Sequence, residues 1–489
     1  MKNRMSRIAL TLVLSMGLFL PDMAQETEEP QVLSSAMSLD LQEAIDHAIA
    51  YNKSLQNARL EVERSRRSIW EAIAQGLPQV DGTVDYMSYF NYEMQFNFGM
   101  GETPEFTPGD LQEAWDQTSV AFPGVTQQDI YNHTAGNYYD GVLQSLLPPT
   151  SILLSDQSTA KLQLSQLIFS GQYIVGVQTA KLAQLISEQN YEFNELNIKE
   201  SVISAYYLVL ITGESLNILE QNVANLEETL EQTRIMFKSG MAEQTDVDQL
   251  RITVNQLSDA RNALQRNLEL NYNMLRFQLG IEPNVELVLT DNLEGLFTRM
   301  QVESTLDAPF ALENNVTYQI MQTQEEISKK MVGLEQWNYA PTLAGFYNYN
   351  AKILTSGFDM NPNHLVGLNL AVPIFSSGMR KARVDQAKID YNMARTNKDI
   401  LEDQLNLQEK QFKYNLQSSL ENLYTQQENV EVAQRVYDSY RRKFEQGMAS
   451  SLDLTQSNGN YLDAQSNYLT AIMEVMNAKL QLDKLMNTL

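Results

Sequence analysis

Phe237-Lys238-Ser239-Gly240-Met241-Ala242, followed by Asp246, returns 207 positions later as Phe444-Glu445-Gln446-Gly447-Met448-Ala449, followed by Asp453. The same shift carries Gly171, in Ile168-Phe169-Ser170-Gly171, onto Gly378, in Ile374-Phe375-Ser376-Ser377-Gly378. Two landmarks therefore keep one register in both copies, with no insertion between them. A duplication that spaces a Gly-centred turn this regularly describes an architecture rather than an active site. The chain reads as two tandem copies of one long-helix unit.

Outward from each turn the apolar spacing is that of packed helices. Leu216, Leu219, Val223, Leu226, Leu230, Thr233 and Phe237 alternate steps of three and four, and the shifted register holds Leu423, Gln426, Val430, Ala433, Tyr437, Tyr440 and Phe444. After the turns the pattern resumes, through Val247, Leu250, Val254 and Leu257 in one copy and Leu454, Ser457, Tyr461 and Ala464 in the other. A 3-4 alternation held this long means helices lying side by side as coiled coils. The long helices are expected over about 172–238 and 379–443, each roughly 100 Å at 1.5 Å per residue. Return helices should end near Leu279 and Leu485, and opening helices should cover about 41–75 and 309–338.

Between the opening and long helices the period changes to two. Val80, Gly82, Val84, Tyr86, Ser88, Phe90, Tyr92, Met94, Phe96 and Phe98 share one parity, against Asp81, Thr83, Asp85, Asn91, Glu93 and Gln95 on the other. Strands follow at about 79–98, 159–169, 342–353 and 364–375, and their lengths suit the crossing of an outer membrane as a barrel. Four strands cannot close a barrel, and an open edge is not tolerated in lipid, so the membrane reading requires oligomerisation. Three copies would supply twelve strands. A soluble two-sheet domain would also alternate, and stands beside the membrane reading. The first hairpin carries about 56 residues more than the second. No Lys or Arg falls between Arg67 and Lys161, whereas Glu93, Glu102, Glu105, Asp110, Glu113, Asp116, Asp129 and Asp140 do. Its prolines predict an irregular loop, either a solvated excursion or a lid over a pore mouth.

Composition narrows the function. Lys2, Arg4 and Arg7 precede an apolar run from Ile8 to Leu20, and residues 1–24 read as a secretory signal. No later stretch approaches 18 apolar residues, which argues against a helical inner-membrane protein. With no cysteine there is neither a disulfide framework nor an acylated N-terminal cysteine. A formal charge of −26 disfavours nucleic acid. His47, His133 and His364 are not spaced with carboxylates as a metal site, and no P-loop or dinucleotide fingerprint occurs. Neither catalysis nor a cofactor is expected, so any transport must draw its energy from a partner.

Several motifs in order carry a resemblance. Leu41-Gln42-Glu43-Ala44-Ile45 through Asn52, Leu77-Pro78-Gln79, Ala340-Pro341-Thr342, Val372-Pro373-Ile374-Phe375 with Gly378, and the two Phe-x-x-Gly turns with their Asp residues resemble the TolC-like outer membrane factor family. The resemblance covers roughly residues 38–489. It implies a mainly α fold with a β membrane domain, four transmembrane strands per chain completing a 12-stranded barrel in a trimer, and a periplasmic α-barrel. In domain terms the first repeat would span 25–278, an equatorial linker 279–308 and the second repeat 309–489. The implied role is a passive exit duct in the outer membrane of a Gram-negative bacterium. It would serve efflux or type I secretion with a periplasmic adaptor and an inner-membrane pump of RND, ABC or MFS type. A non-conducting periplasmic coiled-coil or adaptor protein is the alternative.

The tip turns are where function should concentrate. Gly240 and Gly447 allow the helix reversal, and Met241 and Met448 offer adaptable apolar contact to a docking partner. Asp246 and Asp453 fall in the first turn of each return helix, where the dipole favours a carboxylate. The resemblance alternatively makes them a ring of carboxylates at a periplasmic gate. The family's second tip often carries a basic residue two after the Gly and a second acid three after the Asp. Here Ala449 and Gln456 stand there, which leaves Lys238, Arg441, Arg442 and Lys443 as candidate gate partners.

Overall fold

The computed structural model describes residues 36–90, 92–96, 107–121, 124–133, 150–154, 156–354 and 362–489. The expected signal segment lies outside them. The helices are α1 (Leu41–Tyr51), α2 (Lys53–Ala74), α3 (Pro108–Ala121), α4 (Gly171–Lys238), α5 (Gln244–Leu279), α6 (Leu293–Arg299), α7 (Val302–Asp307), α8 (Val316–Trp337), α9 (Met379–Glu445) and α10 (Ser451–Met486). The strands are β1 (Met37–Leu39), β2 (Gln79–Met87), β3 (Tyr92–Phe96), β4 (Thr150–Leu154), β5 (Gln157–Phe169), β6 (Leu287–Leu289), β7 (Thr342–Leu354) and β8 (His364–Ala371). The long helices α4 and α9 hold 68 and 67 residues, and their return helices 36 each.

The chain forms two compact units. One comprises residues up to Lys53, Ile198–Leu306 and Asn415–Leu480; the other comprises Ser54–Asn197, Asp307–Tyr414 and Gln481–Leu489. Each unit draws on both sequence repeats. In the first, the heptad positions meet as expected: Leu226, Leu230, Val247, Leu250, Val254, Tyr437, Phe444 and Leu454 form one buried cluster. Burial of this apolar seam, rather than helix propensity, holds such helices together. In the second unit Tyr318, Leu405 and Leu485 are buried together, with Leu401 and Phe412 against them.

The structure corrects four expectations. The first opening helix is broken at Asn52, whose backbone is extended and whose Nδ2 donates to the Gln278 carbonyl at 2.7 Å. A side chain at Gly280 would strike the Tyr51 carbonyl at 2.6 Å, so close approach of the two segments sets the break. The strand expected over 79–98 is two strands, β2 and β3, because Phe90 adopts φ +50°. Beside it Ser88 and Tyr86 donate to the Asp156 carboxylate at 2.6 and 2.8 Å. The acidic insertion is not all loop: α3 starts at Pro108, where a missing N–H costs nothing. Finally, α4 does contain an 18-residue window of mean hydropathy 1.5, long and apolar enough to cross a membrane. Half of that window is buried in protein, and Val202, Tyr206 and Val209 of the same helix are core residues. Its apolarity is that of a helix with neighbours on several sides.

Candidate functional site

Each reversal is a glycine C-cap built the same way. Gly240 has φ +73° and Gly447 φ +71°, and no atom lies within 4 Å of where a Cβ would stand. Glycine is needed for the left-handed backbone, not for space. The Met241 N–H donates to the Met236 carbonyl at 2.8 Å, and the Met448 N–H to the Lys443 carbonyl at 2.8 Å. These six-to-one bonds with the Gly N–H bonds to Phe237 and Phe444 make two Schellman motifs. Each delivers its methionine to the surface, 69% exposed at Met241 and 66% at Met448.

The aspartates close the same turns. Asp453 Oδ2 accepts from the Ser450 N–H at 3.1 Å and its hydroxyl at 2.7 Å, while the Asp453 N–H donates back to Ser450 Oγ. These bonds hold the exposed Asp453 carboxyl below the usual carboxylate range, led by the Ser450 hydroxyl. Asp246 Oδ2 accepts from the Glu243 N–H at 3.0 Å, and its Oδ1 accepts from the Ser451 hydroxyl at 2.6 Å. Ser451 opens the other return helix and is buried, so this bond ties one tip turn to the other. Both carboxylates therefore cap helices within the chain. The proposed cationic partners lie elsewhere. Arg441 pairs with Glu445 at 3.3 Å, and Lys443 Nζ sits 5.2 Å from the Tyr440 ring centre. Among the described residues neither Lys238, Arg441, Arg442 nor Lys443 makes an ion pair with Asp246 or Asp453. Ala449 packs onto the apolar cluster, and Gln456 donates to Asn460.

Sequence periodicity missed the polar seam of this unit. Asn222 and Asn458 are buried and exchange two hydrogen bonds, at 3.2 and 3.0 Å. It also missed Asp291, whose side chain is buried and accepts from the Leu41 N–H and the Tyr206 hydroxyl, both at 2.9 Å, and from Arg299. Apart from Arg299, eight positions from Asp291, their partners are far away in sequence.

In the second unit the strands pair in the order β2-β5-β7-β8, antiparallel throughout, and among the described residues nothing pairs with the outer edge of β2 or β8. The register sorts the sheet into two faces. Val80 opposes Leu164, Leu164 opposes Tyr347, and Tyr347 opposes Val366. Next to that row, Gly82, Leu162, Tyr349 and His364 align. The other face aligns Asp81 with Gln163 and Asn348, and Thr83 with Lys161 and Asn350. On the apolar face Val80, Val84, Leu162, Val366, Leu368 and Leu370 are all exposed. An exposed apolar band backed by a polar face is the pattern of a sheet between lipid and water. The Tyr347 hydroxyl lies 2.8 Å from His364 Nδ1, and His47 Nδ1 lies 3.1 Å from the Leu279 carbonyl. Among the described residues no three His, Cys, Asp or Glu side chains come together as a metal site.

The model of the family described as "Outer membrane efflux protein" matches residues 150–281 and 309–488, more than half of the chain. The chain belongs to that family. It is 23% identical over 343 residues to the outer membrane protein TolC of Vibrio cholerae, a match covering 68% of this chain and 78% of that one. Among solved structures, the outer membrane protein VceC from Vibrio cholerae superposes with a TM-score of 0.64 at 16% identity, covering 91% of this chain and 95% of its own. CusC superposes with a TM-score of 0.68 at 13% identity, covering 92% and 93%. The fold is thus that of outer membrane efflux channels: long helices of a helical barrel joined to a β-barrel domain.

Proposed function

We propose that three copies of this chain close a 12-stranded barrel across the outer membrane and act as a passive exit duct. In this role it would receive cargo from a periplasmic adaptor and an inner-membrane pump during efflux or type I secretion. One observation carries the reading. The register of β2, β5, β7 and β8 builds one continuous apolar face and, among the described residues, leaves both edges unpaired. A sheet with that face in lipid and those edges open is stable only when other copies complete it. Family membership supports the same role. The exposed Met241 and Met448 would meet the adaptor, and Asp246 and Asp453, repeated threefold, would line the periplasmic entrance and favour cations.

The particle mass in detergent tests the assembly. Each chain is 55.6 kDa. Light scattering corrected for bound detergent should return three chains, and a monodisperse monomer would overturn the proposal. Because the chain has no cysteine, single cysteines introduced at Met241 and Met448 can carry photo-crosslinkers. Both should capture a periplasmic adaptor, and labels placed on β2 should not.

A further inference from the structure

The junction between β8 and α9 sets the end of the exposed apolar face beside a cationic feature that the duct does not explain. After β8, Val372, Ile374 and Phe375 stand outside the core, with Ile374 90% and Phe375 83% exposed. Trp337 and Tyr339, which lead into β7, and Phe169, which ends β5, are also exposed, and Phe169 meets Trp337 edge-on at 6.4 Å. The first turn of α9 carries Arg380 and Lys381 and no acid, the arrangement a helix dipole disfavours. Arg380 is held in place, donating from Nη1 to the Pro373 carbonyl at 3.0 Å, with its guanidinium 5.6 Å from the Tyr339 ring centre. Lys381 and Lys388, seven residues apart, share one side of α9, beside the buried stripe of Val384 and Ala387. Both lysines are exposed, and among the described residues neither makes an ion pair.

The other repeat shows that this is not a requirement of the fold. Shifted by 207, Arg380 and Lys381 become Tyr173 and Ile174, and the first basic residue after Gly171 is Lys181. Arg380, Lys381, Arg383 and Lys388 outnumber the single acid among them, Asp385, and this local excess in a chain with formal charge −26 calls for an anion. The exposed Ile374 and Phe375 beside them call for hydrocarbon. An aqueous phosphate satisfies only the first demand, and a neutral lipid only the second.

We infer that this junction is a recognition site for anionic phospholipid, with Lys381 and Lys388 meeting the headgroup and Ile374 and Phe375 meeting the acyl chains. The inference rests on the membrane reading of the sheet. Lysines near an anionic surface each favour binding by about fivefold, so the pair would enrich anionic over zwitterionic lipid by up to roughly 25-fold.

The chain has three tryptophans, and Trp337 sits at the junction. With Trp70 and Trp115 changed to Phe, the full protein is reconstituted in bilayers containing either brominated phosphatidylglycerol or brominated phosphatidylcholine. Trp337 quenching then reports which lipid lies beside it. Preferential quenching by the brominated phosphatidylglycerol, lost in K381Q/K388Q while quenching by the phosphatidylcholine persists, is the expected result. Equal quenching by both lipids would overturn the inference and leave the membrane reading standing. No quenching by either would place Trp337 away from lipid and overturn the inference. A preference that survives K381Q/K388Q would show that these lysines do not supply it and would also overturn the assignment.

Discussion

The Asn222–Asn458 pair makes an energetic prediction that pairwise burial alone would get wrong. Each amide is buried, and each donates to the other's carbonyl, at 3.2 and 3.0 Å. Replacing Asn458 with Leu removes both bonds and leaves the Asn222 amide buried without a partner. The lost bonds and the stranded amide together cost about 2–3 kcal/mol. Asn222→Leu should cost a similar amount for the same reason. In the double Leu variant no polar group is stranded, so most of that loss should return. The two mutations should therefore couple by about 2 kcal/mol or more instead of adding. Guanidinium unfolding of the detergent-solubilised protein, followed by helical circular dichroism, gives the four midpoints of the cycle. Hydrogen exchange at amides near Asn458 locates the effect on α10. If the double variant loses the sum of the two singles, the pair is not the reciprocal lock described. A buried Asn pair also fixes helix register, so the double variant should show broader heterogeneity even where stability recovers.

Asp291→Ala should lower stability by about 2–3 kcal/mol, because the Leu41 N–H and the Tyr206 hydroxyl lose their acceptor; an unchanged midpoint would refute this. Burial pushes the Asp291 carboxyl up, but its bonds from Leu41, Arg299 and Tyr206 outweigh that and leave it below its ordinary value. Its stabilisation is thus full above about pH 4 and is lost as pH falls through the lowered value, so an Asp291→Asn variant should have a flatter acid limb. Gly240→Ala or Gly447→Ala should cost about 1 kcal/mol each through the left-handed backbone, with faster hydrogen exchange confined to the tips. Replacing Asp246 and Asp453 together by Asn should reduce cation selectivity and divalent-cation block of the channel, and unchanged values would remove them from the entrance.

Much of the architecture was legible because it is periodic. Leu226, Val247, Leu250 and Leu454 could be assigned to a seam from spacing alone, and Val80 and Val84 to a common face. What stayed hidden depends on contacts distant in sequence. Asn52 breaks a helix because the Gln278–Gly280 segment packs there, and Phe90 kinks a strand beside a carboxylate 66 residues away. Asp246 could be placed at a helix start, yet its bond to Ser451 joins turns 205 residues apart. The prolines of the acidic insertion, Pro104, Pro108, Pro123, Pro148 and Pro149, read as loop, whereas Pro108 opens a helix.

As a duct, the assembled chain must conduct. Purified protein fused into planar bilayers should give discrete, uniform current steps without nucleotide or any partner present. Stable insertion of assembled protein with no current steps would contradict the duct and return the chain to a structural role.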